Sequence, residues 1–153
     1  MSDSSINASS LIVRPMARED AGAVVELCGQ LGYEVSIEAI CERIAQLSSC
    51  PEKQIAFVAC VETEIVGWIE ASIQYELQSP PYSFISGLVV NETKRSDGIG
   101  KKLCSEVEAW SRRQGVTTLR VTSRISREGA HQFYLREGFE RIKTWAVFEK
   151  MLS

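Results

Sequence analysis

The stretch Leu88-Val89-Val90-Asn91-Glu92-Thr93-Lys94-Arg95-Ser96-Asp97-Gly98-Ile99-Gly100-Lys101-Lys102 decides how this chain folds. Its front is apolar back to Phe84 and reads as a strand. Behind it, Ile99, Leu103, Val107 and Trp110 recur at helical spacing up to Gly115, which predicts a helix over Gly98–Gln114. The turn between strand and helix holds the pattern Arg95-x-x-Gly98-x-Gly100. A helix N-terminus leaves backbone N–H groups unpaired and carries partial positive charge. Glycines let an anion approach those groups closely. Lys94, Arg95, Lys101 and Lys102 add positive charge. The physics selects an anionic ligand, a pyrophosphate best of all. The same residues could also form a plain tight turn with a solvated basic flank. Two familiar phosphate loops fit worse. A P-loop needs Gly at Arg95 and Ser or Thr at Lys102. A dinucleotide fingerprint needs a third Gly where Leu103 stands.

Working towards the N-terminus, Ile55–Val61 and Ile65–Tyr75 read as strands joined by the turn Glu62-Thr63-Glu64, an antiparallel hairpin. Gln78–Pro81 reads as a loop broken by two prolines. Ser36 can cap a helix whose stripe is Ile37, Ile40, Cys41, Ile44 and Leu47. Ala21, Val24, Val25, Cys28 and Leu31 mark an earlier helix ended by Gly32. Leu11–Arg14 is a first strand. Towards the C-terminus come a strand at Leu119–Ser123, a short helix at Gly129–Arg136 closed by Gly138, and strands at Phe139–Ile142 and Trp145–Lys150. The order β-α-α-β-β-β-α-β-α-β-β predicts an α/β (α+β) domain. Its sheet is mixed and mainly antiparallel, with a central parallel crossover from Phe84 to Ser123 and flanking helices. Residues 1–10 read as a disordered polar tail and 11–153 as one domain.

Leu88-Val89-Val90, Arg95-x-x-Gly98-x-Gly100, Ala130-His131-Gln132-Phe133-Tyr134 and Gly138-Phe139 together resemble the GNAT superfamily of acyl-CoA-dependent N-acyltransferases, in its small bacterial form. The resemblance is specific from Phe84 to Phe139 and architectural before that. It implies a GNAT-like fold, acetyl-CoA as cosubstrate, and acetyl transfer to a primary amine of a small molecule or peptide. It also implies residue roles. Backbone groups around Leu88, Val89 and Val90 would hold the thioester arm. The N–H groups of Arg95, Ser96, Asp97, Gly98, Ile99, Gly100 and Lys101 would hold the pyrophosphate. Tyr134 would stand near the coenzyme sulfur. Two departures stand out. Arg127 occupies a position where relatives often carry Asn, and Phe84-Ile85-Ser86 offers no carboxylate.

An alkylammonium ion loses its proton near pH 10 and a thiol near 8.5, so a base for the amine and an acid for the leaving thiolate both help. Tyr134 is the candidate acid for a direct attack, with a core aromatic as the alternative. Glu70 is the candidate base. Alternation in Ile65–Tyr75 puts Val66, Trp68, Glu70 and Ser72 on one half-apolar face, an uncommon place for a carboxylate. An ion pair or a solvated position would explain Glu70 equally well. Glu76 and Glu92 lie in exposed loops, and water could serve as base. The acceptor pocket is expected from Gly32–Ser36 and Gln74–Tyr82. There Tyr33, Glu34, Tyr75, Glu76 and Tyr82 would suit a cationic amine.

Composition sets the remaining bounds. The net charge of -3 argues against a nucleic-acid binder, and no apolar run is long enough to span a bilayer. No secretory signal pattern is present, so a cytoplasmic protein is expected, with room for a homodimer. The five cysteines lack C-x-x-C spacing, and His131 is the only histidine, so no metal site and free, reduced thiols are expected. Two other functions remain open at this point: a non-catalytic acyl-CoA-binding regulatory module, and a nucleotide-binding regulatory domain.

Overall fold

The computed structural model describes residues 10–94 and 98–153. The chain divides into two compact units, one ending at Val121 and the other beginning at Thr122.

The first unit is built on a five-stranded sheet in sequence order: β1 (Leu11–Pro15), β2 (Gln54–Val61), β3 (Glu64–Glu76), β4 (Ser79–Val90) and β5 (Leu119–Val121). β1 to β4 pair antiparallel and β4 to β5 parallel. The long helix α3 (Ile99–Arg113) makes the connection between β4 and β5, as the strand–turn–helix–strand reading requires. The β2–β3 turn is tight enough to put Glu62 at φ 56°, in the left-handed region.

Successive β3 residues face opposite ways. Trp68 packs with the cluster formed by Ala21, Val24 and Cys28 of α1 (Ala21–Gln30) and Ile40 and Ile44 of α2 (Ile37–Ser48). A Cβ on neighbouring Gly67 would instead meet Ile99 and Leu103 of α3, at 3.1 and 3.3 Å. The sheet therefore lies between α1 and α2 on one side and α3 on the other. The α3 stripe of Ile99, Leu103, Val107 and Trp110 is buried as its spacing predicts. Ser36 caps α2, its hydroxyl accepting from the Ala39 N–H at 3.1 Å. Ile37, assigned to the buried stripe of that helix, is instead exposed, because it sits in the first turn ahead of the packed positions Ile40 and Ile44.

The sheet departs from expectation at Gln78–Pro81. β4 already begins at Ser79 and runs through both prolines. The prolines are tolerated because neither has a ladder partner: β5 pairs only with Ser83, Phe84 and Ile85, and on the other side the register with β3 is interrupted between Gln74 and Glu76.

The second unit carries α4 (Glu128–Arg136), closed by Gly138 at φ 93°. The strands expected at Phe139–Ile142 and Trp145–Lys150 are absent. These residues carry the apolar pattern of strands but pair with no strand among the described residues, and every residue from 140 to 153 is exposed.

Candidate active site

Two local features of β4 make an opening. The first is its register with β3: Glu70 lies opposite Gly87 and Ala71 opposite Ile85, so Ser86 is an extra, bulged residue. The second is the end of the parallel ladder, whose last pair is Ile85 with Val121. From Ser86 to Val90, β4 is bonded to β3 on one side only. Its other side presents backbone N–H and C=O groups that no described strand takes. An extended ligand with amide groups can add there as a strand would. Leu88, Val89 and Val90 lie on this open edge.

Glu70 and Trp68 converge on the same place. Both are half-buried and sit on one face of β3. A Cβ built on Gly87 would come within 2.8 Å of the Trp68 ring and 3.9 Å of a Glu70 carboxylate oxygen. Gly87 is therefore required by the close approach of the indole. Glu70 thus stands beside the bulge in β4.

The glycine turn leads from this edge into α3. Gly98 is the N-cap of α3 at φ 78°, a left-handed conformation that L side chains rarely adopt. Open space surrounds its Cα, since a Cβ there would meet nothing within 4 Å. The first turn of α3, with Ile99 and Gly100, follows directly, and the N–H groups of a first helical turn have no acceptor within the helix. These features fit a pyrophosphate approaching the backbone. Lys101 is exposed and available to an anion, whereas the Lys102 ammonium donates to the Leu11 carbonyl at 2.9 Å and ties α3 to β1. Arg95, Ser96 and Asp97 lie outside the described residues. Among the described residues no cluster of His, Cys, Asp and Glu could hold a metal ion.

The chemistry of this site is legible in its relatives. The Acetyltransferase (GNAT) family model matches residues 27–139. The chain belongs to that family. It is an N-acetyltransferase that takes acetyl-CoA as cosubstrate and an amine as acceptor. An aminoglycoside N(6')-acetyltransferase type 1 of Stenotrophomonas maltophilia is 26% identical over 150 residues, covering 95% of this chain and 97% of the relative. An aminoalkylphosphonate N-acetyltransferase of Salmonella typhimurium is 30% identical over 131 residues, covering 84% of each. Among solved structures, AAC(6')-Iy in complex with the bisubstrate analogue CoA-S-monomethyl-acetylneamine superposes with a TM-score of 0.81 at 20% identity, covering 93% of this chain and 99% of that one. The 6'-N-acetyltransferase AAC(6')-Ih of Acinetobacter baumannii gives 0.80 at 21%, covering 94% and 99%. These two likenesses establish the shared fold.

The remaining sequence candidates separate into those still available and those already engaged. Tyr82 is buried, and its hydroxyl donates to Glu76 Oε1 at 2.8 Å. That bond, with burial second, pushes the phenol above its usual titration range. The Arg120 guanidinium covers the Tyr82 ring at 4.1 Å. The other Glu76 oxygen accepts from Ser79 and Gln78, so the carboxylate closes the β3–β4 hairpin. Tyr33, Glu34 and Tyr75 remain exposed. In the second unit, Tyr134 packs edge-on between Phe133 and Phe139, with ring centroids 5.3 and 5.5 Å away. His131 is committed locally, its Nε2 lying 2.9 Å from the Arg124 carbonyl. Trp68, beside Glu70, was not among the sequence candidates. Its alternation with Glu70 was visible, but its contact with Gly87 depends on the β3–β4 register.

Proposed function

We propose that the chain acetylates a primary amine carried by a small cationic molecule, by direct attack of the amine on the thioester. Glu70 takes the amine proton, and Tyr134 protonates the departing thiolate. The Glu70 part is carried by one observation: a half-buried carboxylate stands beside the bulged, open edge of β4, where an extended acyl donor would lie. The Tyr134 part rests on the match of Ala130-His131-Gln132-Phe133-Tyr134 to the family pattern.

The acceptor class follows from charge and from the relatives' names. Glu34 and Glu76 provide negative charge near exposed Tyr33 and Tyr75, a combination that favours a cation through field and ring faces. Aminoglycosides and aminoalkylphosphonates, named for the two relatives, are the first acceptors to try; the phosphonate group would oppose the acidic residues. The experiment is thiol release from acetyl-CoA against a panel of aminoglycosides, polyamines, aminoalkylphosphonates and peptide N-termini. Turnover strongest with a polycationic amine supports the reading. Preference for the phosphonate or for a peptide overturns the acceptor assignment.

A further inference from the structure

The chain leaving β4 towards α3 forms one turn of 3₁₀-helix at Glu92–Lys94. Its N–H groups, with that of Asn91 before them, all have acceptors. Asn91 donates to the Val66 carbonyl of β3 at 2.8 Å, and Lys94 to the Asn91 carbonyl at 2.9 Å. Thr93 donates to Asn91 Oδ1 at 3.1 Å. These three bonds stay within the turn and its own sheet. The remaining one does not. The Glu92 N–H donates to Oε1 of Gln30, 62 residues away in sequence, at 3.0 Å. Among the described residues it is the one hydrogen bond that joins α1 to this turn.

Gln30 is the last residue of α1 and is half-buried. The loop to α2 starts at the next residue, and its first N–H groups return to the end of the helix. Leu31 donates to the Cys28 carbonyl at 3.0 Å, Gly32 to Gly29 at 3.0 Å and Tyr33 to Cys28 at 3.1 Å. Gly32, Tyr33 and Glu34 are exposed. Gln30 thus joins the root of the loop expected to meet the acceptor to the root of the turn expected to meet the coenzyme.

We propose that Gln30 is a positioning residue that couples acetyl-CoA binding to the order of the Leu31–Ser36 loop. In the free chain its bond competes with water, because Glu92 is exposed. A turn already held at Glu92 costs the coenzyme less ordering when it binds. By linkage, a coenzyme that fixes the turn strengthens the bond by the same factor. The strengthened bond holds the Gln30 side chain, and with it the helix end to which the three loop N–H groups are tied. Gln30 acts through the backbone at Glu92 and touches no reacting atom. The benefit to the amine rests on the acceptor reading given above; the coupling itself does not.

The test uses the full chain with acetyl-CoA alone. Saturating acetyl-CoA should slow amide exchange at Leu31, Gly32 and Tyr33 of the natural chain by about two- to tenfold, the range of one hydrogen bond net of water. Gln30→Met keeps the length of the side chain and removes its acceptor oxygen. It should lose that protection and bind acetyl-CoA about two- to tenfold more weakly by calorimetry. Gln30→Glu keeps an acceptor oxygen and should restore both readings. A merely structural role would speed exchange in the Met variant equally with and without coenzyme, and that result overturns the proposal. So does protection that persists in the Met variant, a natural chain that shows none, or a Glu variant that behaves like Met. Should the Met variant fail to fold, Gln30→Ser, whose hydroxyl is too short to reach Glu92, takes its place. No amine is present, so a wrong acceptor class would show in the amine panel and leave these readings unchanged.

Discussion

Glu70 and Tyr134 are assigned opposite proton transfers, and single substitutions separate them. Glu70→Gln keeps the volume beside Trp68 and Gly87 but removes the basic oxygen. General base catalysis contributes about 10²–10⁴-fold, so kcat should fall at least about tenfold with little change in acetyl-CoA affinity. The loss should be smallest at high pH, where more of the amine is already free. A variant with full kcat at neutral pH, measured where chemistry limits the rate, would leave water as the base. Tyr134→Phe keeps the edge-on packing with Phe133 and Phe139 and removes only the hydroxyl. Turnover should again fall at least about tenfold. That loss should shrink with a thioester whose thiol is more acidic, since its thiolate needs less help. An equal loss with both thioesters would remove Tyr134 as proton donor and leave it a packing residue.

At the scale of elements, the turn into α3 tests the anion site. Gly98 has room for a side chain but the wrong φ for one, so Gly98→Val adds backbone strain of about 1–3 kcal/mol where the chain must turn. Acetyl-CoA binding by calorimetry should weaken by an order of magnitude or more while the sheet stays folded. Unchanged affinity in a folded variant would move the pyrophosphate elsewhere. The same turn shows what the sequence could reveal. β1 to β3, the hairpin, α1 to α4 and the parallel crossover all follow from local periodicity and from glycines at positive φ. Glu70 was found the same way, because alternation is local. Three things were hidden, each because it depends on a partner strand. The bulge at Ser86 and the early end of β5 at Val121 are set by pairing register. The inclusion of Pro80 and Pro81 in β4 depends on how far β5 extends. Tyr82 and Glu76 read as acceptor contacts from composition, whereas the turn of the hairpin brings them together in a mutual bond.

At the scale of the whole molecule, an ion pair with a buried carboxylate ties the edge strand β1 to the turn before α1 and makes stability sensitive to acid. Arg14 of β1 meets Asp20 with two bonds of 2.8 Å, and the Ala17 N–H donates to the same carboxylate at 2.7 Å. Asp20 is 5% exposed. The Arg14 bond, with the Ala17 N–H also contributing, holds the carboxyl below its usual range against the opposing effect of burial. A depressed folded-state value means that the charged form favours folding. That contribution is complete above the unfolded value near 3.9 and is lost as pH falls through the lower folded value. Charge-assisted hydrogen bonds are worth about 1.5–3 kcal/mol each at most. The Arg14 side chain is 43% exposed, so solvent screening places the pair at the low end. Asp20→Asn should therefore cost about 1–2 kcal/mol at pH 7. For a chain of this size that lowers Tm by roughly 2–8 °C. The gap between the variant and the natural chain should narrow as pH drops below about 4, where the unfolded chain takes up the proton, and close as the folded carboxyl follows at lower pH. Thermal unfolding of both proteins across neutral to acid pH measures that gap directly. A gap that stays constant into acid would mean Asp20 stabilises by shape alone, with its charge contributing nothing.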